Sequence, residues 1–127
     1  MREILFRGRR SWGNKEWVEG ALLHGYSDHV SITKRLMGIE TWQVEPETVG
    51  QYTGLTDKNG NKIFEGDIIH GFSGNFAVRW SPEICSFVAG EGRRIRPAMT
   101  YGTMKSFEVI GNIYDNLELL KGSIENE

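Results

Sequence analysis

The segment Asp57–Lys62 constrains the fold of this chain more than any other, because it predicts a β-hairpin. Its sequence is DKNGNK, and apolar residues follow it directly. Asn59 and Gly60 readily adopt the positive φ angles of a type I′ turn, whose twist matches that of two antiparallel strands. We therefore expect two strands to meet here, with Asn59 and Gly60 at the tip.

A second conformational signal follows at Gly66, within the run Ile63–Ile69. A glycine inside a strand pattern marks a bulge or a bend, because it relaxes backbone geometry and has no side chain to pack. We expect the chain to turn a corner at Gly66 and to enter a new strand, as strands do where small barrels close.

Short apolar runs separated by Gly, Asn, Asp and Ser recur along the chain, which holds 16 glycines and 3 prolines. This pattern favours many short strands over long helices. Strands are predicted at 3–7, 16–24, 29–33, 40–44, 76–80, 85–88 and 107–113.

Helix is expected in only two short places. Pro46 ends the fourth strand and suits one helical turn or a tight loop within residues 45–52. Asp115 and Asn116 can cap a short helix over Leu117–Lys121. Residues 90–102 have no periodicity and predict a long loop. The fold class is therefore mainly β (β-rich α+β): a small barrel-like antiparallel β domain with a short C-terminal helix.

The 127 residues fit one domain, 1–127, with an N-terminal β element over about 1–50 and a barrel-like unit over about 51–120. Cys85 is the only cysteine, so no intrachain disulfide can form. The N-terminus has no apolar signal-peptide run, and no stretch approaches the roughly 20 apolar residues of a membrane span. These features predict a cytoplasmic protein without a membrane partner.

Several segments together resemble the YopX family. They are QYTGLTDKNGNKIFEGDII at Gln51–Ile69, the opening MREILFRG, and FEVIGNIYDNLELL at Phe107–Leu120. The resemblance spans nearly the whole chain as a single YopX-like domain. It implies a small, β-rich, oligomeric protein encoded by a bacteriophage or prophage, in the cytoplasm of a bacterial host, with no established activity. The motif residues for which we expect a structural role are Tyr52, Gly54, Asp57, Asn59, Gly60, Glu65, Gly66 and Asp67.

The same motif has oxygen ligands at alternate positions, as calcium loops do. Counting from Asp57, however, Gly60 is fourth and Ile68 is twelfth. An EF-hand loop requires glycine at the sixth position and a bidentate glutamate at the twelfth. A hairpin turn explains the same residues, so we expect no calcium site.

A zinc site is also not expected, although His24, Asp28 and His29 lie close together in the sequence. Zinc needs three or four converging ligands, and Cys85 would have to join them from far along the chain. We interpret Cys85 as a small buried hydrophobic residue. No cofactor is expected.

Glu65 and Asp67 are the candidate pair for metal-dependent hydrolysis. Residues two apart on a strand share a face, so both carboxylates could bind one Mg²⁺. The competing interpretation is that they accept hydrogen bonds from turn amides, and we favour it. No third acidic residue or general base is in register, so we expect a protein that is not an enzyme.

A candidate nucleic-acid surface lies in the second half of the chain. Small β-barrels bind single strands with a basic groove and exposed aromatic side chains. The candidate residues are Arg79, Arg93, Arg94, Arg96, Tyr101 and Lys105. The formal net charge of -2 supplies no general attraction for nucleic acid, so we favour the interpretation that these arginines keep the surface soluble.

If this surface binds single strands, single-stranded DNA or RNA should bind at low salt and dissociate as salt rises, because phosphate contacts release counterions. Fluorescence anisotropy with labelled oligonucleotides at low and moderate salt measures this. Flat curves at low salt would remove the hypothesis.

Protein assembly is the competing class of function. A small domain is not expected to bury three tryptophans fully, and this chain has Trp12, Trp17 and Trp42 in its first half. Aromatic residues are enriched in subunit interfaces. We therefore expect an accessory protein that acts through binding, as a homo-oligomer or with a protein partner. Nucleic-acid binding ranks second and metal-dependent hydrolysis last.

Overall fold

The computed structural model describes residues 3–26, 28–34, 40–71, 74–90 and 99–120. The chain divides into two compact units, Met1–Tyr52 and Thr53–Glu127. The described residues contain ten strands in two antiparallel sheets and only short helices. This confirms the mainly β fold class.

The N-terminal unit is a strongly bent sheet. Its strands have the order β4-β3-β2-β1-β5, and each pairs with its neighbour in antiparallel fashion. The last strand, β5, continues into the C-terminal unit. The strands are β1 (Phe6–Arg9), β2 (Trp17–His24), β3 (Val30–Lys34), β4 (Glu40–Val44) and β5 (Gly50–Thr56), with a 3₁₀ helix at Pro46–Thr48 between the last two.

Gly20 lets β2 pair with both of its neighbours. Residues before it pair with β1 and residues after it pair with β3. A Cβ at Gly20 would lie 2.2 Å from the carbonyl oxygen of Thr33, so no other residue fits without moving the β3 backbone. The same position would lie 3.2 Å from a methyl carbon of Ile32, which is buried.

The end of β1 also pairs with the end of β4. Arg10 and Val44 form an antiparallel bridge, and the Glu45 amide donates to the Arg9 carbonyl at 2.8 Å. The Ser11 amide donates to the Gln43 carbonyl at 3.0 Å. β1 therefore has β2 on one side and both β5 and β4 on the other.

Thr48 provides hydrogen bonds to the backbone at the point where β1 changes from pairing with β5 to pairing with β4. Its hydroxyl accepts the Arg9 amide at 2.9 Å and donates to the Glu45 carbonyl at 2.7 Å. The side chain is buried, so water cannot replace these bonds. Pro46 begins the 3₁₀ helix that carries Thr48 to this position, which confirms the helical turn predicted there.

Replacing Thr48 with valine keeps the shape of the side chain and removes the hydroxyl. The Arg9 amide would then be buried without an acceptor, which costs about 1–3 kcal/mol of unfolding free energy. Thr48→Ser is the matched control, because it keeps the hydroxyl and should lose less stability than Thr48→Val. Urea denaturation measures both. Equal losses in the two variants would contradict this role for the hydroxyl.

The C-terminal unit combines a hairpin with a four-stranded sheet of order β10-β7-β8-β9. The rest of β5 pairs with β6 in the hairpin. After β5, the elements are β6 (Lys62–Phe64), β7 (Asp67–Gly71), β8 (Gly74–Ser81), β9 (Ser86–Ala89), α1 (Tyr101–Met104) and β10 (Glu108–Asn112). Residues 118–120 are helical. No helix within the described ranges is both long and apolar enough to cross a bilayer.

The core of this unit lies between the sheet and α1. Phe107 packs directly against the backbone of Gly71, where a Cβ would lie 2.2 Å from its ring. Leu55, Met99 and Val109 pack at the margin of the core. The buried core residues are Ile63, Ile69, Phe76, Val78, Ala89, Met104 and Phe107.

The structure differs from the sequence-based expectations at several elements. The first strand is Phe6–Arg9, displaced toward the C-terminus from the predicted 3–7, because residues 6–9 carry the pairing with β2. Residues 50–56, which we expected to begin as a loop, form β5 because they pair with β1 and β6. A bulge between Val109 and Gly111 breaks the alternation predicted for 107–113.

The predicted loop at 90–102 ends in a helix that we did not expect. Tyr101–Met104 is helical, and the Thr100 hydroxyl accepts the Thr103 amide at 3.1 Å as an N-cap. Met104 is buried, so core packing stabilises this single turn. Residues 91–98 of the predicted loop lie outside the described residues.

Candidate binding sites

Asp57 is the polar centre of the C-terminal unit. Its side chain is fully buried. One carboxylate oxygen accepts the amides of Asn59 and Asn61, both at 2.9 Å, and the other accepts the Val109 amide at 2.9 Å. The Lys58 amide also donates to the Phe107 carbonyl at 2.9 Å. One carboxylate thus shapes the hairpin loop and attaches it to β10.

These hydrogen bonds keep Asp57 ionised. Burial by itself would raise the pKa of Asp57, because it penalises the charged form. The amides of Val109, Asn61 and Asn59 favour that form and bring the pKa below its usual value of 3.8. Asp57 is therefore a charged structural group, and all its ligands are protein amides.

The hairpin at this position is confirmed, but the predicted type I′ turn is wrong. Among the described residues only Lys15 and Cys85 combine a positive φ with a side chain, so Asn59 lacks the φ that type I′ requires. Gly60 has φ +84°, and its amide donates to the Asp57 carbonyl at 3.0 Å. The loop is a three-residue hairpin with a glycine bulge, because the Asp57 carboxylate holds Asn59 and Asn61.

Replacing Asp57 with asparagine should destabilise the protein by about 1–3 kcal/mol, because the new amide group cannot accept from the Val109 amide. The effect should depend on pH. The folded pKa lies below the unfolded one, so the carboxylate's contribution is complete above about pH 5 and is lost as pH falls through the folded pKa.

Urea denaturation of the wild type and Asp57→Asn between pH 7 and pH 2.5 measures this. The difference between the two should shrink in the acid range. Asp28→Asn, at an exposed aspartate, is the control and should leave stability unchanged. A gap between wild type and Asp57→Asn that stays constant at acid pH would contradict the assignment.

The remaining motif residues also have structural contacts. Gly66 has φ +95° in the turn between β6 and β7, and its amide donates to the Val78 carbonyl at 2.8 Å. This is the corner expected at Gly66. Gly54 has φ +90° within β5. Tyr52 is buried, and its amide donates to the Leu5 carbonyl at 2.8 Å.

Glu65 and Asp67 do not form the strand-borne carboxylate pair. Glu65 lies in the turn, and Asp67 is buried at the start of β7. The Asp67 carboxylate accepts the Phe64 amide at 2.7 Å, as the turn interpretation predicts. The two residues are therefore not arranged to present one open face to a Mg²⁺ ion.

Metal chemistry finds no support in the described part of the chain. No group of three or more His, Cys, Asp or Glu side chains there could hold a metal ion. The interpretation of Cys85 as a buried residue is wrong: Cys85 is exposed, with φ +51°, in the turn between β8 and β9. The turn geometry places its side chain outside the core.

Of the candidate nucleic-acid residues, the structure describes Arg79, Tyr101 and Lys105. Arg79 donates through Nε to the Gly90 carbonyl at 2.8 Å, and Lys105 Nζ lies 3.5 Å from the Thr56 hydroxyl. Tyr101 begins α1. Arg93, Arg94 and Arg96 lie outside the described residues. Nucleic-acid binding by this set stays a prediction.

A groove in the N-terminal unit holds two of the tryptophans singled out above. It measures about 360 Å³. The Arg7 guanidinium lies 4.8 Å from the centre of the Trp17 ring, and Lys34 Nζ lies 5.8 Å from that of Trp42. Its principal lining residues are Arg10, Glu16, Trp17, Glu19, Lys34 and Trp42.

The charges around this groove differ in how far they are neutralised. The Arg10 guanidinium lies 2.7 Å from the Glu16 carboxylate. Arg9 donates to Glu45 at 2.6 Å, and this hydrogen bond is the main reason that the pKa of Glu45 is lowered. No ion pair within the described residues involves Glu19 or Lys34. The sequence pattern alone does not reveal this combination, because it depends on the register that pairs Arg9 on β1 with Trp17 on β2.

An apolar patch lies at the end of the β8–β9 hairpin, in the C-terminal unit. Trp80 and Phe87 are cross-strand partners whose rings pack edge to face with centroids 5.1 Å apart. Trp80 is 44% exposed, and Ile84 in the connecting turn is 60% exposed. We call Trp80, Ile84 and Phe87 the hairpin-end patch. Trp12 is exposed as well, at 69%, but it belongs to the N-terminal unit.

The fold and this arrangement of turns define a small, mainly β protein. The model of the YopX protein family matches residues 10–121, and the chain belongs to this family. A search of curated proteins finds no match.

A solved structure shares the fold. The crystal structure of protein EF1440 from Enterococcus faecalis is similar to this chain with a TM-score of 0.61 and 23% sequence identity. The match covers 94% of this chain and 99% of that one. At this level of identity the similarity establishes the fold.

Proposed function

We propose that this chain is an accessory protein of a bacteriophage or prophage that acts by binding protein, either a second copy of itself or another protein of the bacterial cytoplasm. Membership of the YopX family supports the phage context. The observation that carries the binding proposal is the hairpin-end patch of the C-terminal unit.

Three apolar side chains of this unit lie at the end of the β8–β9 hairpin. Trp80, Ile84 and Phe87 are not among the buried residues that form the core of the unit. Tryptophan contributes a large share of the binding energy in protein interfaces, because it buries much surface for little loss of conformational freedom. An apolar group at a hairpin end can be covered by a partner without rearrangement of the sheet.

The experiment measures self-association directly. Light scattering after size exclusion should give the wild type a mass above the 14.4 kDa of the monomer at micromolar concentration. Ile84→Asp places a charge in the hairpin-end patch and should weaken self-association at least tenfold. Burying an uncompensated carboxylate in an interface is costly.

Leu117→Asp is the matched control. Leu117 is 53% exposed and belongs to the same unit, and the neighbouring Leu119 carbonyl accepts from Asn75 at the far end of β8 from Trp80. This variant should keep the wild-type mass.

A monomeric wild type directs the test to a different protein partner. Affinity purification from prophage-carrying cells, with and without nuclease treatment, should then recover a nuclease-resistant partner that Ile84→Asp loses and Leu117→Asp retains. A wild type that is monomeric at all concentrations and captures no partner in this patch-dependent way would refute the proposal.

A further inference from the structure

Asn59 is the only asparagine in the chain that is followed by a glycine. In such a pair the backbone nitrogen of the glycine can attack the side-chain carbonyl carbon of the asparagine, because glycine has no Cβ to hinder the approach. Asn59 and Gly60 are both exposed at the tip of the hairpin. Water therefore reaches the two groups that would react, and the fold controls how often they meet.

We propose that Asn59 is a deamidation site and that the contacts of the hairpin loop control its rate. The Gly60 nitrogen loses its proton and forms a bond to Cγ of Asn59. The bond from Cγ to Nδ2 breaks, and the side-chain nitrogen leaves as ammonia. Water then opens the resulting succinimide ring at one of its two carbonyl carbons, which gives aspartate or isoaspartate. This site is independent of the protein-binding function proposed above.

Both reacting groups are engaged in the folded loop. The Gly60 amide donates to the Asp57 carbonyl at 3.0 Å, so it must give up this hydrogen bond before it can attack. The Asn59 side-chain amide lies 3.4 Å from a carboxylate oxygen of Glu108 on β10. The Asn59 backbone amide donates to the Asp57 carboxylate at 2.9 Å. The loop must therefore open before Asn59 reacts, and local openings of this kind are rarer than the motions of a free peptide.

The product does not restore the closed loop. An aspartate at position 59 places a second carboxylate beside Glu108, where an amide group donated before. Lys58 Nζ lies 4.0 Å from the other Glu108 oxygen, and this exposed pair offsets only part of the repulsion. Isoaspartate adds a methylene group to the backbone between the two loop amides that the Asp57 carboxylate binds. Either product weakens the attachment of the hairpin to β10.

Peptide mapping by mass spectrometry measures the reaction at each asparagine. The full-length protein is incubated in mildly alkaline buffer at a raised temperature below its unfolding transition, and the free peptide DKNGNK gives the rate without the fold. Asn59 should be the first asparagine of the protein to react. Its rate should be at least tenfold below that of the same residue in the peptide, because the loop is closed most of the time.

A substitution on β10 tests the contact that holds the Asn59 side chain. Glu108→Ala removes this contact and leaves the hydrogen bonds of Asp57 in place, so it should raise the deamidation rate about threefold. Glu118→Ala, at an exposed glutamate of the same unit, is the matched control and should react at the wild-type rate.

The Asn59→Asp variant tests the consequence of the reaction. Its equilibrium constant for folding, measured by urea denaturation, should be about fivefold below that of the wild type. Glu108→Gln in the same chain should restore most of this loss, because it removes the repulsion between the two carboxylates.

The proposal is overturned if Asn59 reacts as fast in the folded protein as in the peptide, or if another asparagine reacts first. It is also overturned if Glu108→Ala leaves the rate unchanged, or if Glu108→Gln does not restore the stability of Asn59→Asp. A failure of the hairpin-end patch in light scattering has no bearing on these outcomes, because the measurements and variants are different.

Discussion

The C-terminal unit depends on the Asp57 carboxylate, which is buried, ionised and bonded to three backbone amides. Two of those amides lie in the hairpin loop and the third belongs to β10, 52 residues later in the chain. A buried charge is tolerated only when its hydrogen-bonding capacity is satisfied, so the loop and the strand must both be in place for either to be stable. The carboxylate therefore couples a local turn to the long-range pairing of the sheet.

In the N-terminal unit a neutral hydroxyl group, that of Thr48, satisfies the backbone. Its sheet bends so sharply that β1 pairs with β5 along one half and with β4 at its end. The change of partner would leave the Arg9 amide unsatisfied, and the Thr48 hydroxyl accepts from it. In both units a short polar side chain accepts a hydrogen bond from a backbone amide that regular strand pairing leaves without a partner.

The sequence predicted elements well where local chemistry decides the structure. The strand Glu40–Val44 and the turn beginning at Pro46 were placed correctly, because proline both ends a strand and suits a first helical position. The hairpin at Asp57 was also predicted correctly, because local turn chemistry decides it as well. Its turn type was wrong, because an Asn-Gly pair suits type I′ by propensity while the neighbouring carboxylate imposes another geometry.

Elements decided by tertiary contacts were missed. The hairpin prediction implied a strand before Asp57, but its start at Gly50 was not expected, because that end of β5 is a strand through its pairing with β1. The turn Tyr101–Met104 is too short to be stable as an isolated helix and is held by the buried Met104. Cys85 was assigned to the core by residue type, whereas the turn between β8 and β9 determines its exposure.

Overall charge says little about any single surface of this protein. The net charge of -2 is a sum over the whole chain, whereas each surface is set by the charges that the fold brings together. On β1, Arg9 is paired with Glu45 and Arg10 with Glu16. These pairs depend on the pairing of β1 with β2 and with the end of β4, and residue counts cannot supply it.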